Sequence, residues 1–143
     1  MTLSNQSAEK NNPESEYISV NRTAYNKLSR QYLQRSAYKS EFETSSGEII
    51  EQIMKFRTLS SGSKVLEIGP GSGEAIAYFS SQRAETVAVD ISDKIIEIAK
   101  KRSPKTTFIN SNILEVGFLP GEFDIIFAGA IIHLFPKNDA GSL

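Results

Sequence analysis

The segment "KVLEIGPGSGEAIAYF", Lys64 to Phe79, decides the fold of this chain. Its first five residues read as a short apolar strand, and "GEAIAYF" reads as the start of a helix. Three glycines and a proline fill the turn between them. A structural reversal alone does not need three glycines, whereas a strand that enters a glycine turn and then opens a helix is the setting of a nucleotide-binding loop. Gly69 suits the sharp turn off the strand, Gly71 lets a ligand approach the backbone without a Cβ in the way, and Gly73 allows the helix to start close to the sheet. The free N–H groups at that helix start favour an anionic group.

Working outward, the pattern keeps alternating. "TVAVD" and "TTFIN" are strands, "SDKIIEIAKK" is a helix, and "FDIIFAGA" is a longer apolar strand. The order βαβαβ followed by another β predicts parallel strands joined by right-handed helical crossovers, an α/β Rossmann-like sheet with helices on both faces. Upstream, "NRTAYNKLSRQYL" carries Tyr25, Leu28, Tyr32 and Leu33 at helical spacing, and Phe42, Ile49, Ile50, Ile53, Met54 and Phe56 form a second helical stripe. The organisation expected is a disordered, dispensable tail over 1–16, a helical region over 17–60 and an α/β unit over 61–143.

Composition narrows the chemistry. The chain has 143 residues, formal net charge −1, no cysteine and a single histidine. Thiolate metal sites, disulfides, cysteine nucleophiles and multi-imidazole sites are therefore excluded, and no metal is expected. The charge gives no reason to expect nucleic acid or an anionic membrane, and no apolar run is long enough to span a bilayer. Without a secretory signal at the N-terminus, a cytoplasmic protein is expected.

Asp90 closes the second strand about 20 residues past the glycine turn, where a carboxylate can accept both hydroxyls of a ribose. Two departures from the dinucleotide pattern then select the cofactor. Glu74 stands where the last glycine of G-x-G-x-x-G would be, and Glu67 precedes the first glycine by two residues, where it would repel a pyrophosphate. A cationic ligand suits Glu67. S-adenosylmethionine has a sulfonium, an amino group, a small carboxylate and a ribose, one for each feature.

"VLEIGPGSGE", "VAVDIS", "FINSNILEV" and "FDIIFAGAIIHLF" together resemble the motif series of class I S-adenosylmethionine-dependent methyltransferases, particularly the small-molecule branch with an N-terminal helical lid. The resemblance implies that Glu67, Gly69, Gly71 and Gly73 contact the methionine part, that Asp90 holds the ribose and that Ile91 packs on the adenine. Asn112 would accept the adenine amino group and Ile113 would supply an apolar face. Tyr25 and Tyr32 would belong to the lid. His133, just past the fourth strand, is the weak candidate for a general base, although capping or packing accounts for it as well.

The resemblance also implies seven strands in the order 3-2-1-4-5-7-6, of which about four are present, so the chain reads as C-terminally truncated. The expected function is methyl transfer to a small-molecule acceptor, or the cofactor-binding portion of such an enzyme. The alternative is a noncatalytic S-adenosylmethionine-binding or interaction module, and an NAD(P)-dependent oxidoreductase is a third reading. The chain alone is expected to have little activity. Phe123, Ile125, Ile126 and Phe127 are expected to be exposed on an edge strand that drives self-association.

Overall fold

A computed structural model describes residues 13–37, 47–129 and 131–136. Two helices, α1 (Pro13–Ala37) and α2 (Gly47–Phe56), precede β1 (Lys64–Ile68), α3 (Glu74–Ser81), β2 (Glu85–Asp90), α4 (Asp93–Arg102), β3 (Thr107–Asn110) and β4 (Ile125–Phe127). Short 3-10 turns occupy Ile113–Glu115 and Ile132–Leu134. Helix α1 is longer than the apolar spacing predicted, and Pro13 to Glu16, expected in the tail, form its first turn. Proline is suited to a first turn, where its missing N–H is not needed. The rest of the expected tail, and Phe42, lie outside the described residues.

The four strands form one parallel sheet in the order β3-β2-β1-β4. Val65 pairs with Thr86 on one side and Ile125 on the other, while Asp90 pairs with Asn110. Alternation along β1 separates two apolar clusters. Val65 faces Ile50, Ala75, Phe79, Ile125 and Phe127, and Leu66 and Ile68 face Val89. The steps from β1 to β2 to β3 run in the same direction, so right-handed crossovers carry both α3 and α4 to one face. The second cluster is completed by Val116, Phe118 and Phe123, from the loop that returns to β4, and contains no α-helical residue. Helical cover is thus present on one face, and among the described residues a loop covers the other.

Strand β4 departs from expectation. Ile125 and Phe127 are each only 8% exposed, because they alternate inward against Phe79 and Ile50. Phe123 is half-buried and meets Phe118 edge to face, with ring centroids 4.9 Å apart. Of the four apolar residues expected in water, Ile126 alone is there, 60% exposed.

Helix α4 shows how local chemistry sets an element. Ser92 caps it, its hydroxyl accepting the Ile95 N–H at 3.1 Å, while Lys100, Lys101 and Arg102 complement the negative end of its dipole. Ile95, Ile96, Ile98 and Ala99 form its buried side. No described helix is long and apolar enough to cross a membrane.

Candidate functional site

The strand order reverses at β1, whose neighbours are β2 and the later β4. A cavity of about 410 Å³ opens there, beyond the C-terminal ends of the strands. Such a crevice is where an open α/β sheet places its ligand. Its floor is the glycine turn, its sides are Asp90, Ile91, Asn112 and Ile113, and its roof includes Tyr25 and Tyr32 of α1.

The three glycines of the turn do different work. All have left-handed backbones, and a side chain at Gly69 would overlap Ile131. A Cβ on Gly71 would point up into the cavity and stand 3.1 Å from the Tyr32 ring. Gly73 does not line the cavity. A Cβ there would lie 2.9 Å from the Ala99 Cα, so the missing side chain lets α4 pack against the start of α3.

Glu67 is 4% exposed and lines the cavity from β1. The Ile76 N–H stabilises its carboxylate, but Oε2 has no hydrogen-bond partner among the described residues. Burial raises its pKa well above the ordinary 4.5; the Ile76 bond opposes that rise, and Glu74 and Asp90 add to it. A buried carboxylate oxygen without a partner is costly unless a cation or donor meets it. Glu74 differs. Arg102 holds one of its oxygens at 2.6 Å and the Ser72 hydroxyl donates to the other, so its charge is already answered within the protein. Repulsion of an anion therefore falls to Glu67.

Asp90 ends β2 with Oδ1 accepting the Ser92 N–H at 2.8 Å. Burial pushes its carboxyl up to about 6, against the lowering effect of the Ser92 and Ile91 N–H groups. Burial, then Tyr32 and Asp90, raise the Tyr25 phenol above its ordinary 10.0, so it stays a neutral donor. The Tyr25 and Tyr32 rings lie 6.4 Å apart, tilted by 46°. Asn112 is buried and its Oδ1 accepts the Leu114 N–H at 3.2 Å, capping the 3-10 turn, so that oxygen is already engaged locally. His133 is exposed and does not line the cavity, although its neighbours Leu134 and Phe135 do.

Several cavity residues escaped the sequence reading. Ile18 and Asn21 precede Tyr25 at helical spacing and share its side of α1, a signal present in the periodicity. Ile131, Leu134 and Phe135 fall within "FDIIFAGAIIHLF", where His133 is the residue that the sequence singles out, and only the fold brings these three apolar neighbours to the rim.

Comparison with known proteins agrees with this geometry. Residues 65–143, more than half of the chain, match a family described as a methyltransferase domain. The chain belongs to that family. The methyltransferase domain is 32% identical over 75 residues to an uncharacterized methyltransferase of Synechocystis, covering 52% of this chain and 35% of that protein. It is 28% identical over 71 residues to ribosomal RNA small subunit methyltransferase A of Geobacter sulfurreducens, covering 48% of this chain and 26% of that protein. The chain thus spans about a third of the length of the first of these curated relatives and about a quarter of the second. Among solved structures, the magnesium protoporphyrin IX methyltransferase of Synechocystis with bound S-adenosylmethionine superposes with a TM-score of 0.66 at 16% identity, covering 88% of this chain and 67% of that one. A TehB-like S-adenosylmethionine-dependent methyltransferase of Corynebacterium glutamicum gives 0.62 at 19% identity, covering 82% and 61%. The fold of the methyltransferase domain is therefore the class I fold that its motifs resemble.

Proposed function

We propose that this chain binds S-adenosylmethionine and forms the cofactor-binding part of an enzyme that methylates a small-molecule acceptor. The observation that carries the reading is the buried, unpartnered Oε2 of Glu67 beside the glycine turn. It suits a positively charged ligand and disfavours the pyrophosphate of a nicotinamide dinucleotide. Asp90 would accept the ribose hydroxyls through the carboxylate lone pairs that the Ser92 and Ile91 N–H groups leave, and Ile91 and Ile113 would enclose the adenine.

When bound, S-adenosylmethionine would supply an electrophilic methyl for in-line transfer to the acceptor's lone pair, with the neutral thioether as the leaving group that keeps the bonding pair. The chain's own residues contribute alignment and exclusion of water, with Tyr25 and Tyr32 covering the cavity. A dedicated base is not needed for such a displacement, and the exposed His133 is not assigned one. The second reading is a noncatalytic S-adenosylmethionine-binding module, which the same cavity would serve. The exposed Ile126, on a β4 strand with one paired edge among the described residues, supports self-association along that strand.

Calorimetric titration with S-adenosylmethionine and with NAD tests the cofactor assignment, using the native chain and Glu67→Gln. The expected result is binding of the sulfonium cofactor alone, weakened at least tenfold in the variant, the scale of a lost charged hydrogen bond of about 1.5 to 3 kcal/mol. Equal binding by both proteins would remove Glu67 from the site. Methyl transfer to a panel of small acceptors separates the enzyme from the binding module.

A further inference from the structure

Two bonds that fasten α1 to the sheet domain converge on one turn. Arg22 Nε donates to the Ile91 carbonyl at 3.0 Å, and the Ser92 hydroxyl donates to Asn26 Oδ1 at 2.5 Å. Ser92 is fully buried, and the same hydroxyl accepts the Ile95 N–H, while the Ser92 backbone N–H goes to the Asp90 carboxylate. One residue therefore joins α1, the start of α4 and the group that would hold the ribose. A third bond, from Asn21 Nδ2 to the Leu134 carbonyl at 3.4 Å, reaches the opposite rim of the cavity.

The rest of α1 packs against α4, with Ile18, Ala24, Tyr25 and Tyr32 half-buried. Among its described side chains only Ser29 is buried, while Val20, Leu28 and Leu33 are 61%, 37% and 45% exposed. A helix whose described apolar side chains are at most half-buried owes part of its docking to its polar bonds, each of modest net strength. The stripe beside these bonds, Ile18, Asn21, Tyr25 and Tyr32, lines the cavity.

We propose that Asn26 and Arg22 are positioning residues that latch α1 onto the Asp90 turn, so that closure over the cofactor and alignment of the ribose-binding carboxylate occur together. The proposal rests on the S-adenosylmethionine reading. By linkage, a cofactor bonded to Asp90 tightens the latch, and the latch in turn slows loss of the cofactor.

Asn26→Ala removes the acceptor for Ser92 and leaves the α4 cap in place. Asn26→Asp keeps an acceptor oxygen and serves as the rescue. Amide hydrogen exchange on the cofactor-free proteins should show faster exchange over residues 17–34 in Asn26→Ala, unchanged exchange in β1 and β2, and recovery in Asn26→Asp. Stopped-flow dissociation of S-adenosylmethionine should be about fivefold faster in Asn26→Ala, the scale of one net hydrogen bond, and should recover in Asn26→Asp. Equal protection of α1 in the native chain and Asn26→Ala overturns the latch. Faster exchange with an unchanged dissociation rate overturns its coupling to the cofactor. If the native chain does not bind S-adenosylmethionine, the cofactor reading falls and the coupling with it, while the exchange comparison still decides whether Asn26 holds α1.

Discussion

Replacing Asp90 by asparagine is expected to move stability and cofactor affinity in opposite directions. The Asp90 carboxyl is raised from its ordinary 3.8 to about 6, chiefly by burial. Between those values the folded protein holds a proton that the unfolded chain has released, so stability falls as pH rises through the window and is lowest above it. The interval corresponds to at most about 3 kcal/mol. Asparagine keeps an oxygen for the Ser92 N–H and carries no charge to bury. The stability difference between Asp90→Asn and the native chain should therefore be near zero below pH 3.8 and grow toward that limit above about pH 6. Binding should respond the other way. An ionised Asp90 accepts ribose hydroxyls with charge, and its loss at neutral pH should weaken S-adenosylmethionine by about 1.5 to 3 kcal/mol, roughly 10- to 150-fold. In the native chain, affinity should decline as pH drops below about 6. Urea unfolding of both proteins across this pH range, paired with calorimetric titration, gives both quantities. Because the Asp90 charge also contributes to the raised pKa of Glu67, the difference between the two curves carries the Asp90 titration together with that coupling, and cancels only the part of the Glu67 contribution that does not depend on Asp90. A flat difference curve would show that Asp90 carries no raised pKa, and unchanged affinity would show that it does not hold the ligand.

Gly73→Ala should destabilise the fold more than Gly62→Ala, by about 1 kcal/mol or more in urea unfolding, because both glycines are left-handed but only Gly73 meets the Ala99 backbone, Gly62 having open space. Equal losses would mean that α4 shifts freely to make room. Ile126→Lys should reduce any concentration-dependent self-association seen by sedimentation and leave unfolding within about 0.5 kcal/mol of native, since that side chain is 60% exposed. Association that persists unchanged would assign it to another surface.

Much of the site was legible locally. A strand, a glycine turn and a helix are contiguous, and the following strand ends at Asp90, so periodicity and turn chemistry could place the loop and the acid at neighbouring strand ends. The sulfonium reading of Glu67 likewise needed only its position two residues before Gly69. What lay beyond the sequence were the side-chain partners. Gly73 and Glu74 belong to the same motif as Gly71, yet one packs on Ala99 and the other pairs with Arg102, residues of a helix more than twenty positions away. Asn112 lines the cavity as the sequence suggested, but that its Oδ1 also caps its own turn was not legible there.

The edge strand shows the same division. An apolar run at "FDIIF" announced a strand, but whether its residues met water depended on α2 and Phe79 standing over Ile125 and Phe127. The latch of α1 is the extreme case: Arg22 and Ile91 are 69 positions apart, Asn26 and Ser92 are 66 apart, and Asn21 and Leu134 are 113 apart. Hydrophobic period, caps and turn residues act over one or two turns of chain, and they determined the elements and the glycine turn. Hydrogen-bond partners and burial depend on which distant surfaces come together, and only the tertiary structure decided those.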